Sequence, residues 1–185
     1  MRRLLQSRTV AASMAALALA MCAVAAVGDD RRELQREANA SLQKLYATSS
    51  SAKLLGSKAA GILVFPRIVK AGFMFGGQIG DGVLLKNGAF AGHYNSVAGS
   101  YGLQAGVQKF GYALFFMNRE ALAYLDKSNG FEIGVGPSIV VVDEGMGKSI
   151  TSTTISQDVY AFIFDQKGLM GGLGVQGSKI TRIAD

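Results

Sequence analysis

His93 is the single histidine of this 185-residue chain, so any Ser-His-Asp triad would have to use it. It stands in "AGHYNS" with no nucleophile motif nearby, which predicts a loop or strand-edge histidine without a catalytic role. Cys22 is the only cysteine, and with one His and one Cys a zinc site built from those ligands is excluded in practice. Carboxylate metal sites need clustered acids. Asp29-Asp30 and Asp143-Glu144 are the only adjacent pairs, and a solvated strand end accounts for the second.

Two glycine patterns imitate nucleotide sites. Gly172 to Gly177, "GLGVQG", fits G-x-G-x-x-G, but a dinucleotide fingerprint needs a helix opening there and an acid about 20 residues later. Only eight residues follow Gly177, and turn glycines in a hairpin are the better account. "GMGKSI", Gly145 to Ile150, has Gly-Lys-Ser without the preceding glycine that a phosphate loop requires. No cofactor and no enzymatic activity are expected.

The elements that would present a binding surface come next. The first 28 residues run from a cationic start through an Ala/Leu/Met/Val stretch to small residues, the pattern of an export signal. Two processing routes fit. Leu19 to Cys22 resembles a lipoprotein signal ending in the cysteine to be acylated, while Ala23-Val24-Ala25 and Ala26-Val27-Gly28 offer ordinary cleavage sites. The run from Val10 to Val27 is also nearly long enough to span a bilayer if it stays uncleaved. The expected location is the periplasm, or the outer membrane by a lipid on Cys22. Three of the 19 basic residues, Arg2, Arg3 and Arg8, lie in this segment; without them 16 cations face 13 acids, a net charge of +3. So small an excess, on an exported chain, argues against a nucleic-acid partner.

Residues 29–185 read as one domain. Leu34, Ala38, Leu42 and Leu45 fall within about 80° of one another at 100° per residue, an amphipathic helix. "TSSS", Thr48 to Ser51, then offers N-caps for a shorter helix with Lys53, Leu54, Leu55 and Lys58. From Gly61 the grammar changes to short Val/Ile/Phe/Leu runs punctuated by glycine, which read as strands. In "GILVFPRIVKAGFMFGG" Pro66 ends one ladder and Ile68 starts another after a bend. Asn87-Gly88 suits a tight hairpin. In "SYGLQAGVQ", Tyr101, Leu103, Ala105 and Val107 form one face, expected to be core, while Ser100, Gln104 and Gln108 form the other. Asn118 caps a short helix in "NREALAYL". Further strands follow, the last two read as strand, glycine turn, strand in "GLMGGLGVQGSKITRI". The fold class is α+β: a curved or barrel-like antiparallel sheet with N-terminal amphipathic helices packed against it and one short helix inserted between strands.

Together "GILVFPRIVKAGFMFGG", "SYGLQAGVQ", "GVGPSIVVVDEG" and "GLMGGLGVQGSKI" resemble the SYLF domain family over about Leu34 to Ile183, and are close to its exported bacterial branch. The resemblance implies a non-enzymatic lipid-binding domain. Eukaryotic relatives are associated with phosphoinositide membranes, and some with actin. Those relatives typically carry a Trp and Pro-containing stretch where this chain has "GHYNSV", and this chain has no Trp. The positions that match the family's basic residues are Lys53, Lys58, Arg67 and Lys70, and Leu54, Leu55, Phe73 and Phe75 are the apolar candidates for insertion. The expected partner is an anionic phospholipid or membrane surface. The rival reading is an envelope protein-interaction or structural module that uses the polar face of Ser100, Gln104 and Gln108.

Overall fold

The structure is a computed structural model and describes residues 29–127, 131–132, 137–142, 147, 150–151 and 153–183. Cys22, Asn129-Gly130 and Asp143-Glu144 lie outside them. The chain forms two compact units, Met1–Arg36 and Glu37–Asp185.

Residues 29–48 are helical, α1. Within the second unit its stripe Ala38, Leu42 and Leu45 is buried, as the spacing predicts. Ser49 ends α1 and caps α2, Ser50–Gly56, its hydroxyl accepting from the Ala52 N–H at 3.2 Å. α2 stops where it meets Tyr46: a Cβ on Gly56 would overlap the tyrosine ring, so glycine permits the close crossing of the two helices. The Tyr46 ring lies 6.4 Å from that of Phe115, fastening α1 to the sheet.

Three long antiparallel strands dominate: β1, Gly61–Lys86; β2, Ala89–Phe116; and β5, Val159–Ile183. Between β2 and β5 lie α3, Arg119–Asp126, and the short β3, Phe131–Glu132, and β4, Ile139–Val141. The sheet order is β1-β2-β5-β3, with β4 added to β5 in parallel. Asn87 and Gly88 take φ of 52° and 77°, the doubly positive turn that joins β1 to β2. Asn118 caps α3 through its Oδ1, which accepts from the Ala121 N–H at 2.7 Å.

The sheet curls because β1 folds back on itself. A Cβ on Gly72 would stand 2.5 Å from the Gly76 Cα and 2.7 Å from the Phe75 carbonyl oxygen. A Cβ on Gly80 would stand 2.7 Å from the Arg67 carbonyl oxygen. The two arms of β1, on either side of this bend, therefore approach backbone to backbone, and no side chain larger than hydrogen fits between them. Phe65, Ile68, Leu84, Tyr94, Tyr112, Leu114, Phe116 and Ile180 fill the core from the arms, closed by Ala121, Leu122 and Leu125 of α3.

Four expectations need correction. Pro66 does not divide β1 into two strands; the ladder skips Pro66 and Arg67 as a bulge and resumes at Ile68. The glycines of 171–177 form no turn and open no helix: β5 runs straight through them, paired residue by residue with β2 from Ala105 to Gly99. Ala105 and Val107, expected in the core, are exposed. His93 is neither in a loop nor at an edge; it is buried in β2 between Val83 and Ile183, with its ring 4.7 Å from that of Phe90.

Candidate functional site

The bend of the long strands carries the largest apolar side chains left outside. Phe73 is 76% exposed and Phe75 69%; Val107, Ile79 and Val97 are 54%, 58% and 50% exposed. Register explains why they gather. Ala71 pairs with Val107, Phe73 with Ala105 and Ile79 with Val97, and directly paired residues point to the same side of a sheet. Residues 71, 73, 75, 77 and 79 are all exposed while 72, 76 and 78 are half-covered, as the twofold repeat of a strand requires. The result is two adjoining apolar strips, one on each side of the bend.

Below the apex the character turns cationic. Lys70 is half-buried one rung from Val69, and Val69 pairs with the exposed Lys109. Lys109 pairs in turn with Lys167 on β5. At the bulge, exposed Arg67 is gripped by Glu37 through both carboxylate oxygens at 2.9 Å, and Lys44 of α1 meets Asp165 at 2.5 Å. These ion pairs tie α1 to β1 and to β5. Between them lies a groove of about 370 Å³, lined by Glu37, Ser41, Arg67, Lys109, Asp165 and Lys167 among others.

The eight residues expected at the surface therefore divide. Phe73 and Phe75 stand at the apex, with Lys70 close behind. Lys53 and Lys58 are exposed on and just after α2, and Leu54 is half-buried. Leu55 is fully buried and belongs to the core, because α2 turns that side inward; it is withdrawn from the insertion surface. Arg67 is exposed, but its charge is already engaged by Glu37. Sequence reasoning missed Ile79, Val97 and Val107 as surface residues. It also missed Lys109 and Lys167, whose only signal is a cross-strand register that emerges once β5 is seen as one strand.

Among the described residues no group of His, Cys, Asp or Glu could hold a metal ion, and no helix is long and apolar enough to cross a membrane. The clear pKa shifts lie elsewhere: burial raises the phenols of Tyr46 and Tyr112, and burial with the neighbouring Asp126 raises that of Tyr94. The arrangement offers adhesion: an apolar tip with cations behind it.

Residues 97–185 match the family model described as Ysc84, Las17-binding protein actin regulator. The match takes in most of β2 and all of α3, β3, β4 and β5, and leaves β1 and α2 outside. No curated protein matches the chain.

Proposed function

We propose that this chain, whose residues 97–185 match a model of the SYLF family of domains that bind lipids and actin-related partners, is a non-enzymatic protein that binds a phospholipid membrane surface through the apex of its bent sheet. The observation that carries this reading is the pair Phe73 and Phe75, exposed side by side at a bend with cations behind them. Exposing two phenylalanines is costly unless they are covered in use, and burying each in lipid contributes about 1.5–3 kcal/mol. Lys70, Lys109 and Lys167, the cations behind the apex, add about 1 kcal/mol each near an anionic bilayer, whereas Lys53 and Lys58 lie by the start of β1, far from Phe73, and are left out. The total of about 6–9 kcal/mol corresponds to a dissociation constant of micromolar order, which charge alone would not reach. Arg67 is left out of this sum because Glu37 neutralises it.

The N-terminal signal pattern supports a membrane of the bacterial envelope, with a lipid on Cys22 as a second anchor if that residue is acylated. An exported bacterial protein would meet neither phosphoinositides nor host actin in its own cell, so lipid contact transfers to this setting more readily than actin contact does. Co-sedimentation with neutral and anionic phospholipid vesicles over a salt series tests the proposal. The expected outcome is binding to anionic vesicles that weakens with salt and is abolished by Phe73→Ser with Phe75→Ser. Substituting Lys53, Lys58, Arg67 and Lys70 by Glu should also remove it, by turning the net charge of the domain negative. A folded protein that ignores both vesicle types, yet crosslinks one envelope protein at stoichiometric yield, would establish the protein-interaction module instead.

A further inference from the structure

Lys109 and Lys167 form a pairing that a sheet ordinarily avoids. They stand directly opposite one another on β2 and β5, where side chains start about 5 Å apart and like charges repel. Every other charge around the groove is accounted for: Glu37 holds Arg67 with two bonds and Asp165 holds Lys44. Two acids and four cations leave two positive charges over, and those are Lys109 and Lys167, which make no ion pair among the described residues. They line one groove with a guanidinium that is already held in place.

We infer that this groove is a binding site for a phosphate-bearing anion, with Lys109 and Lys167 as the charge pair that closes on it and Arg67 as a fixed donor in the same lining. A dianionic phosphate monoester suits two uncompensated ammonium groups better than a singly charged diester does. The groove also sits at a telling depth. From the Phe73–Ala105 pair to the Val69–Lys109 pair is four residues along the strands, about 13 Å at the rise of an extended chain. Apolar tips of peripheral proteins sink about 5–10 Å below the headgroup boundary. With Phe73 and Phe75 so placed, Lys109 and Lys167 stand among the headgroups. The lipid source of the anion rests on the membrane reading above; the anion chemistry of the groove does not.

The full chain, with its N-terminal segment common to every sample, is compared on vesicles containing phosphatidic acid and on vesicles containing phosphatidylglycerol, matched for surface charge. Losing two charged hydrogen bonds should matter, so the wild-type preference for phosphatidic acid is expected to fall at least about tenfold in Lys109→Gln/Lys167→Gln. It should survive in Lys109→Arg/Lys167→Arg. The charge-matched control Lys53→Gln/Lys58→Gln, at the end of the sheet away from the bend, should keep the preference. A preference that persists without Lys109 and Lys167, or that falls equally in the control, overturns the site in favour of a diffuse field. Titration with glycerol 3-phosphate separates the sources. Saturable binding that Lys109→Gln/Lys167→Gln removes assigns a soluble phosphate; preference on vesicles without soluble binding assigns the lipid headgroup; neither overturns the inference. Because that titration uses no membrane, loss of vesicle binding in Phe73→Ser/Phe75→Ser bears on the membrane reading alone.

Discussion

The same three strands make a closed core along their arms and an open apolar surface at their bend. Along the arms, Phe65, Leu114, Phe116 and Ile180 are fully buried beneath α3 and against the facing arm. At the bend, Phe73, Phe75, Ile79, Val97 and Val107 alternate just as regularly and are exposed. The local pattern does not distinguish them. What differs is the cover: helices and the folded-back arm lie over the first set, whereas the second keeps half or more of its surface exposed. Alternation in a strand tells which residues share a face and leaves open which face the rest of the chain reaches.

Phe65→Ala should therefore break the arms most severely. Its ring is fully buried, lies against Tyr112 with centroids 6.4 Å apart, and its removal is expected to cost about 3–5 kcal/mol in urea unfolding. Gly80→Val tests whether the arms need their close approach. Valine favours strands in general, yet here its Cβ meets a backbone oxygen that no rotamer change can move aside. The expected loss is about 3 kcal/mol, and an unchanged unfolding midpoint would refute the backbone-to-backbone contact.

A smaller effect is expected beside α3. The Asp158 carboxylate accepts from the Asn118 side-chain amide at 2.8 Å and from the Ser138 N–H and hydroxyl at 3.1 Å, and these bonds hold its pKa below the usual carboxylate value. A depressed folded pKa stabilises the fold above the unfolded pKa of about 4, and that contribution is lost as pH falls through the folded value. The unfolding midpoints of the wild type and Asp158→Asn should thus differ at neutral pH and converge below about pH 4. Asn118→Ala, which removes both the cap and this bond, should cost about 1 kcal/mol. The smallest effect on stability belongs to the bend: Phe73→Ser with Phe75→Ser should leave the unfolding free energy within about 0.5 kcal/mol while removing vesicle binding. A large loss of stability would place the bend with the arms and end the contrast.

Much of this was legible where chemistry is local. The Ser49 and Asn118 caps, the Asn87-Gly88 turn and the stripe Ala38, Leu42, Leu45 each depend on a few adjacent residues, and each stands where its spacing predicts. Legibility fails where a distant segment decides. Leu55 and Leu54 are neighbours of equal hydropathy, and only the packing of α2 sends the first to the core. His93 looks like a loop residue until both flanking strands are in place. The glycines of 171–177 resemble turn glycines because a strand interior seldom tolerates so many; here they follow β2 rung by rung from Ala105 to Gly99. Phe73 and Phe75 were readable as candidates, whereas Lys109 and Lys167, nearly 60 residues apart, meet only through register.

The register of β5 has a consequence for the order of folding. Its pairs with β2 join residues from about 43 apart, Phe116 with Val159, to about 90 apart, His93 with Ile183. β1 and β2 can zip from the turn at Asn87-Gly88, but the second edge of β2 stays open, rich in Phe, Leu and Val, until residues 159–183 arrive. Such long-range pairing closes late and slowly. During that interval the half-built sheet is a template for any other extended chain, and its glycine-rich bend, with little side-chain bulk to discourage stray pairing, is its most vulnerable length.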